Sequence, residues 1–174
     1  MAQRTDIFDL GRLSLHSGEG RRIDTHVTVD PLSFGGQTYE TEGAREVPVR
    51  LDVSRTMDGY ALRLRFSVTL DGPCMRCLES AERTIEVDAR EVDQPGSGDD
   101  DELVSPYVSR DDLDLRGWSR DVLALALPSQ IVCRDDCLGL CAICGENLNE
   151  AGPDHRHESA PDPRWAKLSE LKFE

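Results

Sequence analysis

Six cysteines and two of the four histidines fall into four short pairs: Cys74-x2-Cys77, Cys133-x3-Cys137, Cys141-x2-Cys144 and His155-x-His157. Two or three intervening residues let successive thiolates turn toward one ion, and a glycine after the second cysteine, Gly145 here, often completes such a turn. In a reducing compartment, closely spaced cysteines are metal ligands or redox centres before they are disulfides. Eight donors fill two tetrahedral sites with none left over, and zinc is the expected ion, with iron as the alternative. Four pairs combine in three ways. The preferred scheme puts Cys74, Cys77, Cys133 and Cys137 around one ion and Cys141, Cys144, His155 and His157 around a second. Only Leu138-Gly139-Leu140 separates the second pair from the third, so folding both onto one ion is tight. The second site has the weaker signal, since the polar stretch 152–158 also reads as a solvated tail. His16 and His26 have no partner pattern and are read as ordinary histidines.

A closed four-ligand zinc keeps no position for water or substrate, so the constellation predicts structure rather than catalysis. No G-x-S-x-G elbow or Walker-type loop is present, and no enzyme is expected. Two other readings use the same residues. One is a dithiol redox protein working through Cys74 and Cys77 or Cys141 and Cys144, which requires an accessible sulfur of depressed pKa. The other is a nucleic-acid-binding regulator built on a zinc knuckle.

These ligands must be held by the elements around them. Val47, Val49, Leu51 and Val53 alternate with polar positions, as do Tyr60, Leu62, Leu64, Phe66, Val68 and Leu70, and then Ile85, Val87 and Ala89. Each run predicts a half-buried strand, the Asp58-Gly59 connector is a hairpin signal between the first two, and the third run points to a meander. Pro48 suggests that the first of these strands lies at an edge. The turn between the second and third strands, Gly72-Pro73-Cys74-Met75-Arg76-Cys77, carries the first ligand pair. Residues 94–102 have no apolar member and four consecutive acids, which predicts a disordered acidic loop. Leu115, Trp118, Val122, Leu125 and Ala126 recur at helical spacing after Asp114, an expected N-cap, and Pro128 stops the run. Residues 162–172 predict a short closing helix that begins Asp162-Pro163 and carries Trp165, Leu168 and Leu171 on one side. The expected fold is thus a single α+β domain over residues 1–174, a mainly antiparallel β meander with one or two packed helices and zinc-ligand turns. Residues 133–157 form its Cys/His metal-binding segment.

Charge limits the partners. Twenty Lys and Arg against 34 Asp and Glu give a formal net charge of −14. Neutralising phosphates takes Lys and Arg, so bulk attraction to nucleic acid is excluded and any RNA contact must be local. Arg50, Arg63 and Arg65 fall on the polar side of their strands, and Arg76 sits in the first cysteine turn, so they form either a small basic face or cross-strand pairs with Asp52, Glu82, Glu86 or Asp88. The favoured partner is a basic protein. The apolar fraction of 38% is lean, and a structural metal worth about 10–16 kcal/mol in finger peptides would offset a thin core. The N-terminus carries no apolar run and no stretch approaches the roughly 18 apolar residues of a membrane span, so a cytoplasmic protein without membrane or small-molecule partners is expected.

Cys74-Met75-Arg76-Cys77-Leu78, the run Leu125-Ala126-Leu127-Pro128, and residues 133–149 together resemble the bacterial and plastid YceD-like family. Its theme is C-x-R-C-L, a helix ending in Leu-Pro, then Leu-Cys-x3-Cys-x-Gly-Leu-Cys-x2-Cys-Gly-x-Asn-Leu-Asn. Val132 replaces the leucine before the first cysteine, and Gly145-Glu146-Asn147-Leu148-Asn149 fits the end of the theme. The closing Asp162-Pro163-Arg164-Trp165-Ala166-Lys167-Leu168 also resembles the family's tail, so the likeness spans about residues 45–172. Members often carry Cys-x-Cys where this chain has His155-x-His157. The resemblance implies a non-enzymatic role in accumulation of large-subunit (23S) ribosomal RNA, in ribosome assembly. Its implied partners are a ribosomal protein or an assembly intermediate, with local contact to ribosomal RNA.

Overall fold

Strict alternation of apolar and polar side chains forces one face of a strand into the interior, and the chain meets that requirement with a twofold-periodic sheet whose inner face is apolar, mostly aliphatic with Tyr39, Tyr60 and Phe66 among it. The computed structural model describes residues 7–43, 45–95 and 103–157. In chain order the elements are β1 (Ile7–Asp9), a 3-10 turn (Gly11–Leu13), β2 (Gly20–Thr28), β3 (Leu32–Phe34), β4 (Gln37–Thr41) and β5 (Glu46–Arg55). These are followed by β6 (Tyr60–Pro73), β7 (Ser80–Asp93), β8 (Val108–Ser109), β9 (Asp112–Asp114) and the helix α1 (Leu115–Ala126). The larger sheet runs β2-β5-β6-β4-β3, with β7 paired to β6 along its whole length, and β1, β9 and β8 make a small second sheet. Every pairing is antiparallel. The predicted meander is therefore β5-β6-β7, in which Leu64 faces both Leu51 and Ala89.

The chain departs from expectation at several points. Strand β5 is internal, between β2 and β6, and not at an edge. Pro48 is accommodated because the β5–β6 register begins at Arg50, so the missing N–H costs no bond to β6, and Pro48 faces only His26 of β2. In α1, Asp114 caps as expected by accepting from the Gly117 N–H at 2.9 Å. The buried stripe, however, is Leu115, Trp118, Ser119 and Leu123, while Leu125 is 87% exposed. The helix lies against β7, β2 and β1, and Trp118 is in the core. With one α-helix among the described residues the expected antiparallel sheet with a packed helix is present, but the fold is β-rich rather than clearly α+β. Residues 96–102 of the predicted acidic loop and the whole predicted helix 162–172 lie outside the described residues. No described helix is long and apolar enough to cross a membrane.

The outer face of the sheet shows where its arginines go. Arg50 donates to Asp24 at 3.1 Å, Arg63 grips Asp88 through two N–H groups, and Asp52 receives both Arg22 and Arg65. The Arg22 guanidinium, with Arg65 beside it, outweighs partial burial and holds the Asp52 carboxyl below the usual range. The cross-strand pairing reading therefore holds, with Asp24 as an unforeseen partner, and these three arginines do not form an unpaired basic face.

At the end of β6, where the first cysteine turn begins, Tyr39 of β4 is wholly buried and its hydroxyl donates to the Pro73 carbonyl at 2.8 Å. Its ring lies so close to Gly72 that a Cβ there would sit 2.4 Å from Tyr39 Cδ1. Gly72→Ala is expected to lower stability by about 1–3 kcal/mol, read as a fall in the denaturant midpoint at unchanged slope. Asp52→Asn is expected to cost about 1 kcal/mol at neutral pH. Because the folded pKa of Asp52 is depressed, its contribution is fully present above the unfolded carboxyl pKa of about 3.9 and is lost as pH falls through the lower folded value. Wild type and variant should therefore converge in strong acid, and a difference that persisted there would refute this account of Asp52.

Candidate metal centre

The turn joining β6 to β7 has a specific hydrogen-bond pattern. The Cys74 N–H donates to the Glu79 carbonyl at 2.7 Å, and the Leu78 N–H returns to the Cys74 carbonyl at 3.0 Å. Leu78 adopts a left-handed φ of 65°, a conformation that favours glycine. The turn at Cys141 repeats this pattern: its N–H donates to the Glu146 carbonyl at 2.8 Å, and Gly145, at φ 76°, donates to the Cys141 carbonyl at 2.8 Å. The two C-x2-C segments are thus the same local structure, one closed by a strained leucine and the other by glycine.

The segment after α1 comes to the first turn through backbone bonds. The Met75 N–H donates to the carbonyl of buried Ile131 at 2.9 Å, and the Leu140 N–H donates to the Arg76 carbonyl at 3.1 Å. The Arg76 side chain donates to the Cys137 carbonyl at 3.0 Å and to Gln130 Oε1 at 3.2 Å. Arg76 therefore ties the two cysteine segments together. Gly139 sits against it, at φ 79°, where a Cβ would lie 3.1 Å from the Arg76 carbonyl oxygen.

All eight sequence-predicted ligands come together, in two groups of four: Cys74, Cys77, Cys133 and Cys137, and Cys141, Cys144, His155 and His157. Within each group the donor atoms lie within 4.8 Å of one another. In the first, Cys74 Sγ is 3.8 Å from Cys137 Sγ and Cys77 Sγ is 3.6 Å from Cys133 Sγ. Zn–S bonds of about 2.3 Å give a tetrahedron with edges of about 3.8 Å, so this sulfur spacing fits one such ion. In the second group, Cys144 Sγ is 3.6 Å from His155 Nε2, which is 3.0 Å from His157 Nε2. With its proton on Nδ1, His155 donates to Glu146 Oε2 at 3.1 Å and turns the Nε2 lone pair into the group, the carboxylate–histidine arrangement common at metal sites. Either group could hold a metal ion.

The electrostatics of the thiols point the same way. Burial opposes ionisation of Cys74, but the N–H groups of Cys77, Arg76 and Cys133 overcome it and bring the thiol down to about 6. Cys77, desolvated and beside the other sulfurs, is pushed up to about 12, and burial also raises Cys133. Adjacent thiolates repel, so the protein alone cannot ionise all four. In the second group Cys141 is brought down to about 6 by the Cys144 N–H and by His155, and Cys141 in turn raises His155. Three of the four donors in the first group are buried, whereas the second is more open, with Cys144 and His157 exposed.

Sequence reasoning assigned no role to Glu146, Asn147 or Asn149. Asn149 is close to the first group: its side-chain N–H donates to Cys137 Sγ at 3.4 Å and is the largest influence lowering that thiol. The available signal was the Asn-Leu-Asn run after Gly145, since asparagines after a turn glycine commonly bond local backbone.

Comparison with known proteins adds the family. Uncharacterised proteins of Mycobacterium tuberculosis and Mycobacterium leprae are each 33% identical over 171 residues, covering 95% of this chain and 79% and 76% of theirs. A chloroplastic maize protein, large ribosomal RNA subunit accumulation protein YCED homolog 1, is 30% identical over 185 residues, covering 85% of this chain and 60% of its own. No solved structure matches. Residues 62–172, which include both C-x2-C turns and all eight donors, match the family described as large ribosomal RNA subunit accumulation protein YceD, and the chain belongs to that family.

Proposed function

We propose that the chain is a non-enzymatic, zinc-stabilised factor required for accumulation of large-subunit (23S) ribosomal RNA. It would act in the cytoplasm during ribosome assembly by binding a basic ribosomal protein or an assembly intermediate. The observation that carries the reading is the family match over residues 62–172, the part of the chain that contains both donor groups. Zinc suits four thiolates in one group and two thiolates with two imidazoles in the other, and four protein ligands leave no open position for substrate. Zinc would join the β6–β7 turn to the segment after α1 and so hold a binding surface in a fixed shape. The −14 charge and the pairing of Arg50, Arg63 and Arg65 with aspartates favour a basic protein over a phosphate backbone as the first contact.

Metal analysis tests the zinc component. Wild type should carry about two zinc ions per chain, and Cys74→Ser and His157→Ala should each carry about one. A preparation that is folded yet free of metal, or whose cysteines alkylate freely and turn over a disulfide substrate, would favour the dithiol redox reading. Pull-down from a bacterial lysate tests the partner. A basic large-subunit protein should remain bound after RNase treatment, and loss of every partner on digestion would place RNA rather than protein at the contact.

A further inference from the structure

The Asn147-Leu148-Asn149 run lies between Cys144 and His155, inside the segment that supplies the second donor group, yet its contacts reach the first. Asn149 uses its full hydrogen-bonding capacity. One side-chain N–H donates to Cys137 Sγ at 3.4 Å and the other to Asn147 Oδ1 at 2.8 Å. Its Oδ1 accepts from the Leu138 N–H at 2.8 Å and from Arg134 Nη2 at 2.7 Å. Two donors and two lone pairs are all that an asparagine side chain has. The run is anchored over the 138–140 connector by the Leu148 N–H, which donates to the Gly139 carbonyl at 2.9 Å, and by the Leu140–Asn147 bridge.

An N–H aimed at a thiolate disperses its charge and orients it, and such outer partners commonly change metal affinity by about 10–100-fold when removed. Here the partner belongs to a turn closed at both ends by the ligands of the other group, Cys141 with Cys144 and His155 with His157. We propose that Asn149 is a positioning residue that couples the two centres: metal at Cys141, Cys144, His155 and His157 fixes the turn that presents the Asn149 amide to Cys137, and so tightens retention of metal by the four-cysteine centre. The coupling rests on the metal reading given above. As with any linkage between binding sites, it runs in both directions.

Cobalt(II) bound to the full-length chain is the probe. Thiolate-to-cobalt absorption is stronger for a four-sulfur than for a two-sulfur centre, so release from each can be followed during chelator challenge. Asn149→Asp keeps an oxygen for Leu138 and Arg134 but loses both side-chain N–H bonds, to Cys137 and to Asn147, and sets a repelling carboxylate against the Cys137 sulfur. It should speed cobalt release from the four-cysteine centre by about 10–100-fold, with the far-ultraviolet dichroism unchanged. His157→Ala should also speed release from the four-cysteine centre. In the Asn149→Asp background the histidine change should add nothing more, which a merely structural asparagine would not produce. Asn149→Gln, which keeps the amide, should recover part of the retention. If wild type binds cobalt at both centres but release from the first is unchanged in Asn149→Asp, or in His157→Ala, the coupling is wrong while the metal reading stands. A wild-type chain that binds no cobalt removes the metal reading itself, and the coupling with it.

Discussion

Four cysteine sulfurs gathered within 4.8 Å of one another cannot all carry charge unless a cation lies among them. The rest of the molecule can be understood as the means of keeping those sulfurs in place. Two of them hang on the turn between the two longest strands, and two come from the coil beyond the helix. Holding the groups together falls to backbone bonds at Met75 and Leu140 and to the Arg76 side chain. The sheet contributes by fixing the end of β6: Tyr39 locks onto Pro73 immediately before Cys74, and only a glycine at position 72 leaves room for its ring. Packing in the core thus reaches the ligand turn through Tyr39, alongside the buried Cys74 and Cys77 side chains themselves.

Charge is distributed to the same end. The polar face of the sheet alternates acids and arginines across β2, β5, β6 and β7, so the strands attract one another sideways while the molecule as a whole stays strongly acidic. Exposed pairs of this kind contribute little each, and the more enclosed one at Asp52, where guanidiniums from β2 and β6 meet one carboxylate of β5, spans three strands. A face neutralised in this way has little attraction for a polyanion.

Legibility in the sequence followed burial. Strands β5, β6 and β7 are one-sided, and their twofold alternation is plain from Val47 to Val87. Strand β2 was not readable because Arg21, Arg22, Asp24 and His26 crowd it with polar groups, and only Val27 along it is buried. The helix was located correctly but rotated, since Leu125 is apolar without being covered and Leu123 took the inner position. Pro48 misled because a strand can be internal and still have one stretch with a single neighbour. The ligands were legible because short spacing is a local property, whereas the role of Asn149 depends on a contact twelve residues back along a folded connector. Leu78 shows the same limit in another form: the turn geometry calls for glycine, and nothing in the local pattern announces that a leucine accepts the strain.

The two donor groups differ in how much chain they enclose. Cys141 through His157 close upon themselves, while Cys74 must wait for Cys137, 63 residues later. At a synthesis rate of about 5–20 residues per second, Cys74 emerges from the ribosome roughly 3–13 s before Cys137 does. For that interval the nascent polypeptide carries two unmatched thiols in the turn where β6 joins β7. The long enclosed loop therefore delays completion of the four-cysteine group until the coil beyond the helix has emerged, whereas the second group is completed within one short segment.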